Sequence, residues 1–508
     1  MTAKTIMIQG TGSSVGKSLM VTALCRIFRQ DGYNVAPFKA QNMSLNSYVT
    51  ADGAEIGRSQ VAQAEAAGVE PTADMNPILL KPEVDYRSQL IVHGKPVGRL
   101  ESKNFNKRKE SLWDAVTGSL DRLREEYDVV VIEGAGSPAE INLRKGDIVN
   151  MEVALYANAP VALVGDIDKG GVFASLYGTM MLLAQNEREL VFGTIINKFR
   201  GDADILRPGL VQLDELTGVP VLGIVPYFRD IYIPEEDSPS SKNTRDDETA
   251  LIDIAVIALP HISNFDEFDP LTREPGVNLR YVRSAAELGK PDLVILPGTK
   301  TTIPDLLAIK EAGIVGQVKE LAAEGTSVIG ICGGYQMLGE TIFDPAKVES
   351  SEEQVDGLGL LPVFTVFDHH KETHQVAGTI TTDRGLLEDA AGLPFTGYEI
   401  HMGATATEAN LSEGVSTLER RTQPDVEIVD GVANSDGWVV GTYVHGLFLN
   451  DELRRQIIAN LARRKGLSMR IEGGQAAFSQ DGEYDKLAEL VRSSLDMEKI
   501  YQVMGFGR

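Results

Sequence analysis

The chain has 508 residues, a net charge of −25 and a pI near 4.8, a balance that argues against nucleic acid or a membrane surface as a main partner. No apolar run approaches the roughly 18 residues of a spanning helix, and the N-terminus opens directly in a strand, so neither a membrane span nor a signal peptide is expected. Cys25 and Cys332 are the only cysteines; a disulfide-free, cytoplasmic protein follows, and the length allows two to four domains.

The first element, KTIMIQGTGSSVGKS, is an apolar strand running into a Gly/Ser-rich loop and then a helix from Leu19 to Arg29. Gly16-Lys17-Ser18 ends a phosphate loop: backbone amides cradle phosphates, Lys17 reaches the outer ones, and the Ser18 hydroxyl meets Mg²⁺. Strict spacing asks for glycine where Thr11 stands, so Gly10-Thr11-Gly12 opens the loop instead; this resembles the dethiobiotin-synthetase variant of the P-loop. Cys25 lies on the helix's apolar face with Leu24, Ile27 and Phe28 and reads as core. Lys39 ends the second strand and suits a phosphate or carboxylate, a surface lysine being the alternative. Asp52 and Glu55 precede a helix, and one of them is a candidate to complete a Mg²⁺ shell.

Strands are expected at 4–9, 33–38, 88–93, 127–133, 160–166, 190–196 and 220–225, mostly continuous Val/Ile runs, as a parallel sheet buried on both faces requires. Glu133 closes the fourth of these in EGAGS, where a Mg²⁺ ligand belongs in such a sheet and where it matches the dethiobiotin-synthetase-like pattern. Asp166 and Asp168 close the next, as metal or substrate contacts or as turn formers. Asn197 ends GTIIN; the same resemblance implies that its amide reads adenine. Arg200 stands where a guanine-reading motif would carry aspartate, which favours ATP over GTP.

Residues 235–250 are polar, acidic and rich in turn formers, a linker between an ATP-binding domain (1–234) and a second α/β domain (251–450), with a helical tail at 451–508. In TSVIGICGGYQMLG an apolar strand delivers Cys332 to a sharp turn before a helix, a geometry that exposes a nucleophile and aims backbone N–H groups at an oxyanion. His445 ends a second apolar strand in GTYVHG. A distant His is the partner such a Cys needs.

Here the chain resembles the class I, triad-type glutamine amidotransferases. The resemblance implies that Cys332 attacks the side-chain amide of glutamine and His445 carries the proton, with Gly298 in LPGTK and the Gly333 amide as oxyanion donors. His401 in GYEIHMG resembles a strand lining the glutaminase site. The family's usual acid two residues after the His is Leu447 here. The orienting third member is therefore missing or comes from elsewhere, which implies a glutaminase that depends on completion by the other domain. His369, His370 and His374 in FDHHKETH read as a polar surface loop rather than a metal cluster.

A P-loop domain that activates a carboxylate, joined to a glutaminase that releases ammonia, makes a carboxamide. The domain order, with AQNMSLNSYVT, DKGGVFASLYGT, SNFDEFDPL and YVHGLF, resembles the glutamine-hydrolysing amidotransferases of the cobalamin pathway over essentially the whole chain. That implies amidation of four peripheral carboxylates of adenosyl-cobyrinic acid a,c-diamide. ATP, Mg²⁺ and glutamine are consumed or required, no tightly bound prosthetic group is involved, and a homo-oligomer remains open. Two alternatives are a sister enzyme that amidates two other carboxylates, and a P-loop switch protein whose glutaminase-like module only binds.

Overall fold

The computed structural model describes residues 2–83, 87–101, 105–234, 250–407, 414–467 and 479–507. Two compact units result: Met1–Ser44, Glu55–Pro234 and Ser479–Arg508 form one, Leu45–Ala54 and Glu235–Phe478 the other. Boundaries read consecutively along the chain differ from this in two places. Val49 packs with Tyr398 and Ile400, which takes Leu45–Ala54 out of the N-terminal half. The tail also divides: helix Asp451–Arg464 stays with the second unit, whereas Leu487 and Val491 bury against Leu24 and Phe28 of the first. Apolar burial, not chain order, decides membership. The linker at 235–249 lies outside the described residues.

The first unit is a six-stranded parallel sheet of β1 (Lys4–Gly10), β2 (Val35–Phe38), β3 (Val129–Glu133), β4 (Val161–Asp166), β5 (Val191–Phe199) and β6 (Val221–Pro226), in the order β6-β5-β4-β1-β3-β2. Every residue of β3 and β4 is buried, as the continuous Val/Ile runs demand of a sheet covered on both faces. Ile8 pairs in register with Glu133, Gly10 with Val164 and Asp166 with Asn197, so these chain turns open at one carboxyl edge, where α/β sheets bind ligands. Helix α1 (Lys17–Gln30) starts there, its apolar face buried through Met20, Leu24 and Phe28. The expected strand at 88–93 forms as Arg87–Val92 but joins a separate four-stranded sheet, antiparallel to Ile78–Pro82 and Lys95–Glu101.

In the second unit β7 (Ile252–Ile257), β8 (Val277–Val282), β9 (Leu293–Leu296), β10 (Ser327–Ile331) and β13 (Val439–Thr442) make a parallel sheet ordered β8-β7-β9-β10-β13, edged by Val432–Ala433. A second sheet is dominated by the long antiparallel pair β11 (Phe364–Ile380) and β12 (Pro394–Ala406). The histidine-rich run expected as a surface loop is therefore strand: His374 is buried, bonded to Thr422 and to Glu372. Alternation in FDHHKETHQVAGTI is masked by polar residues on both faces of an antiparallel pair. Among the described residues no helix is long and apolar enough to cross a membrane, and no cluster of metal-ligating side chains occurs. Cys25 is fully buried and burial pushes its thiol up, the behaviour of an inert core cysteine.

Candidate active sites

The phosphate loop of the first unit turns at Gly16, whose φ of +102° lies in the region that favours glycine; an added Cβ would sit 2.1 Å from the Asn197 amide nitrogen. Lys17 lies across the loop, its Nζ donating to the Gly12 and Gly136 carbonyls at 2.8 and 3.0 Å, and the Thr11 amide donates to Val164. Ser18 Oγ donates to Glu133 Oε1 at 2.8 Å, and Lys39 Nζ meets the same oxygen at 2.9 Å. Burial pushes the Glu133 carboxyl up, but Lys39, Gln63 and Ser18 outweigh it and hold the group ionised below its usual range. A hydroxyl beside an ionised carboxylate, both at the edge where the loop opens, is an oxygen donor set that suits Mg²⁺.

Other expected residues of this region have local duties. Asn197 turns its amide onto the loop, donating to the Val15 carbonyl at 2.8 Å. Glu55 forms a buried ion pair with Lys81 at 2.9 Å, and Asp52 sits in the Leu45–Ala54 segment of the other unit, accepting from Thr50 Oγ1. Glu55 is thus buried beside its own cation, whereas Asp52 is exposed. Asp166 pairs with Lys198 and Asp168 with Arg200, which also lies 3.7 Å over the Tyr227 ring.

In the second unit Cys332 has φ +52° and ψ −109° as the residue before α2 (Gly333–Leu338). A non-glycine residue held there is strained by about 1–3 kcal/mol, which the packed β10–α2 junction must offset. The Gly333 amide, first in the helix, has no partner within it. Cys332 Sγ lies 3.6 Å from the Ile400 carbonyl of β12. Ile331 and Thr442 are paired in register, so the turn after β10 and the end of β13 are neighbours, and Tyr443 and the elbow share one wall.

His445 follows β13 and is buried. Its ring lies 5.3 Å from that of Tyr398 at an interplanar angle of 16°, and its backbone exchanges hydrogen bonds with the same residue. The third member absent at Leu447 is Glu267, in the turn of 3₁₀ helix Phe265–Arg273. His445 Nδ1 donates to Glu267 Oε1 at 2.9 Å and the Gly446 amide donates to Oε2 at 2.9 Å. Leu447 is instead buried apolar surface. The acid thus comes from within the same unit and not from another domain, which removes the reason given above for a glutaminase that must be completed elsewhere. SNFDEFDPL offered three acids, and only the fold shows which one faces the imidazole.

Burial works against charge on His445, but Glu267 and then Cys332 raise its pKa to about 10. Its Nε2 has no conventional hydrogen-bond partner and is left to the reacting groups. Gly298 completes the arrangement: a Cβ there would come within 2.6 Å of His445 Cε1. The imidazole, held by Glu267 and Tyr398, cannot yield. Gly298→Ala is therefore expected to displace the ring and lower glutamate release by about tenfold or more, in line with an overpacking cost of about 1–3 kcal/mol. Steady-state release of glutamate from glutamine checks it, and an unchanged rate would show that the ring is not fixed.

Beside the elbow is a cavity of about 410 Å³, lined among others by Tyr335, Glu399, His401, Arg420, Asp430 and Tyr443. His401, expected near the glutaminase site, stacks on Tyr443 at 3.7 Å. Arg420 grips Glu399 with two bonds, at 2.6 and 3.2 Å. Gln336, four residues after Cys332, donates to the Met402 carbonyl and to the Tyr443 hydroxyl.

Comparison with known proteins covers both units. Residues 6–239 match the CobQ/CobB/MinD/ParA nucleotide binding domain, and residues 253–453 the CobB/CobQ-like glutamine amidotransferase domain. Proteins named cobyric acid synthase are 51% identical in Dehalococcoides mccartyi (strain CBDB1), covering 99% of both chains, and 49% identical in Thermoanaerobacter sp. (strain X514), covering 98% of both. One from Clostridium botulinum (strain ATCC 19397 / Type A) is 51% identical over 98% of this chain and 99% of that one. With both halves and nearly every residue of its length accounted for by these relatives, the chain belongs to the cobyric acid synthase family.

Proposed function

We propose that the chain uses ATP and glutamine to amidate the four peripheral carboxylates of adenosyl-cobyrinic acid a,c-diamide, giving adenosylcobyric acid in cobalamin biosynthesis. The observation that carries this reading is the Cys332 elbow facing a His445–Glu267 pair in one unit, in a chain whose other unit holds a phosphate loop with Lys17 laid across it. In the first unit the loop amides and Lys17 hold the triphosphate, and Ser18 and Glu133 would hold Mg²⁺, which neutralises charge on the phosphates when bound. A substrate carboxylate oxygen takes the terminal phosphoryl group, releasing ADP and making a good leaving group.

In the second unit the Cys332 sulfur attacks the glutamine side-chain amide. Amides of Gly298 and Gly333 stabilise the oxyanion, and His445, oriented by Glu267, delivers the proton with which ammonia departs. Water then hydrolyses the thioester to glutamate. Ammonia displaces phosphate from the activated carboxylate, so each amide consumes one ATP and one glutamine. The mixed charges of the cavity beside the elbow suit the ammonium and carboxylate of glutamine's amino-acid end. Arg200 on Tyr227, in place of a guanine-reading acid, supports ATP as the nucleotide. The soluble substrates fit a cytoplasmic enzyme.

Incubating the chain with ATP, Mg²⁺, glutamine and the a,c-diamide, then counting amides by mass spectrometry, tests this. Four additional amides are expected. Product from the corrinoid lacking amides at a and c, with no reaction on the a,c-diamide, would favour the sister enzyme. Nucleotide hydrolysis with no amide formed would favour a switch protein.

A further inference from the structure

The segment Leu45–Ala54 is flanked on both sides by residues of the nucleotide-binding unit, yet it groups with the glutaminase unit. Its buried residues make a specific set of bonds there. The Asn264 amide donates to Asn46 Oδ1 at 2.7 Å, and the Ser47 amide donates back to Asn264 Oδ1 at 2.9 Å. Asn264 has φ +55° and immediately precedes the 3₁₀ helix that carries Glu267, whose amide donates to the Asn264 carbonyl. The Asn264 side chain is thus spent on the segment and does not cap its own helix. Two residues on, the Tyr48 ring lies 4.9 Å from Tyr398, the residue on which His445 is stacked. Val49 packs against Tyr398 and Ile400, and the Ile400 carbonyl is the one nearest Cys332 Sγ. Gln375 and Thr373 of β11 fasten the far side, donating to the Val49 and Gly53 carbonyls.

Each catalytic side chain therefore leans on a residue that this segment holds. We propose that Leu45–Ala54 is a positioning strap for the glutaminase triad. Asn46 fixes the turn from which Glu267 projects, and Tyr48 fixes the ring against which His445 lies. An asparagine in a left-handed turn has few other ways to satisfy a buried side chain. Without Asn46 the turn is free to relax, and a displacement of about 1 Å at a catalytic group is enough to slow the reaction by roughly a hundredfold. The strap acts through Asn264 and Tyr398. This rests on the amidotransferase reading above.

The test compares Asn46→Ala, Tyr48→Ala and Tyr48→Phe in the full chain, with glutamate release and amide formation from glutamine or from ammonium chloride as readouts. Asn46→Ala and Tyr48→Ala are expected to lower glutaminase kcat by about tenfold to a hundredfold with KM for glutamine nearly unchanged. Tyr48→Phe, which keeps the ring, is expected to restore wild-type rates, and ammonia-dependent synthesis is expected to stay near wild type throughout. The alkaline limb of the glutaminase pH profile should move down in Asn46→Ala, since the titratable groups facing His445 are Glu267, Cys332 and Tyr398 and only the first is loosened. An unchanged kcat and pH profile in Asn46→Ala would overturn the strap. So would a parallel loss of ammonia-dependent synthesis, which would mark general damage to the fold. Absence of glutamate release from the wild-type chain would instead overturn the amidotransferase reading itself.

Discussion

Replacement of Cys332 by Ala is expected to abolish glutamine-dependent amidation, by about a thousandfold or more, while ammonia-dependent synthesis persists. The thiol forms the thioester, and no other nucleophile stands on the strained turn between β10 and α2. Activation of the acceptor carboxylate needs only the phosphate loop, so external ammonia bypasses the loss. Lys17→Ala is expected to abolish synthesis from both nitrogen sources, because no phosphorylated carboxylate forms. Amide formation measured with glutamine and with ammonium chloride separates the cases. Full glutamine use by the Cys332 variant would show the nucleophile to be misassigned.

Glu267→Gln is the second large effect. The carboxylate accepts from both His445 Nδ1 and the Gly446 amide; a glutamine side chain offers one oxygen, so one of these donors faces an NH₂ group. Loss of such an orienting acid elsewhere costs about 10⁴ in kcat, and a fall of roughly 10²–10⁴ is expected here. The pH dependence has a definite sign. Glu267 is the main influence raising the imidazole against its burial, from 6.5 to about 10. The charged imidazole's contribution to stability is therefore complete below about pH 6.5 and is lost as pH rises through about 10. In Glu267→Gln the upper limit falls, so the alkaline limb of kcat/KM for glutamine moves to lower pH. A profile identical to wild type would remove Glu267 from the triad.

The backbone frames of the two candidate centres are legible in the sequence because each is local. A strand, a turn and a helix suffice to identify the Lys17–Ser18 loop and the Cys332 elbow, and the buried runs of β3, β4 and β10 are continuous enough to read as parallel strands. Glu267 was not legible, since it reaches His445 across 178 positions of chain and sits among other acids in the same turn. The partners of Asp52 and Glu55 are equally hard to read from the chain. A carboxylate before a helix near a phosphate loop reads as a metal ligand, whereas the tertiary structure gives Glu55 to Lys81. Weak periodicity at 341–395 is still compatible with extra strands, but the histidines and acids of 368–374 read as a loop because the partner strand, not their own pattern, makes them tolerable in Phe364–Ile380.

Helix α3 (Gln480–Ser494) has a bearing on how the chain is made. It closes the core over α1, burying Leu487, Ala488 and Val491 with Leu24 and Phe28, and its Asp481 and Asp485 receive Arg26. A ribosome emits these residues after the whole glutaminase unit, and emits the Leu45–Ala54 strap long before the strands it packs against. The N-terminal sheet therefore waits for the last helices to finish its core, while the glutaminase waits only for its own strands to appear. A chain cut short by premature termination in the second unit carries α1 without the helix that packs on it.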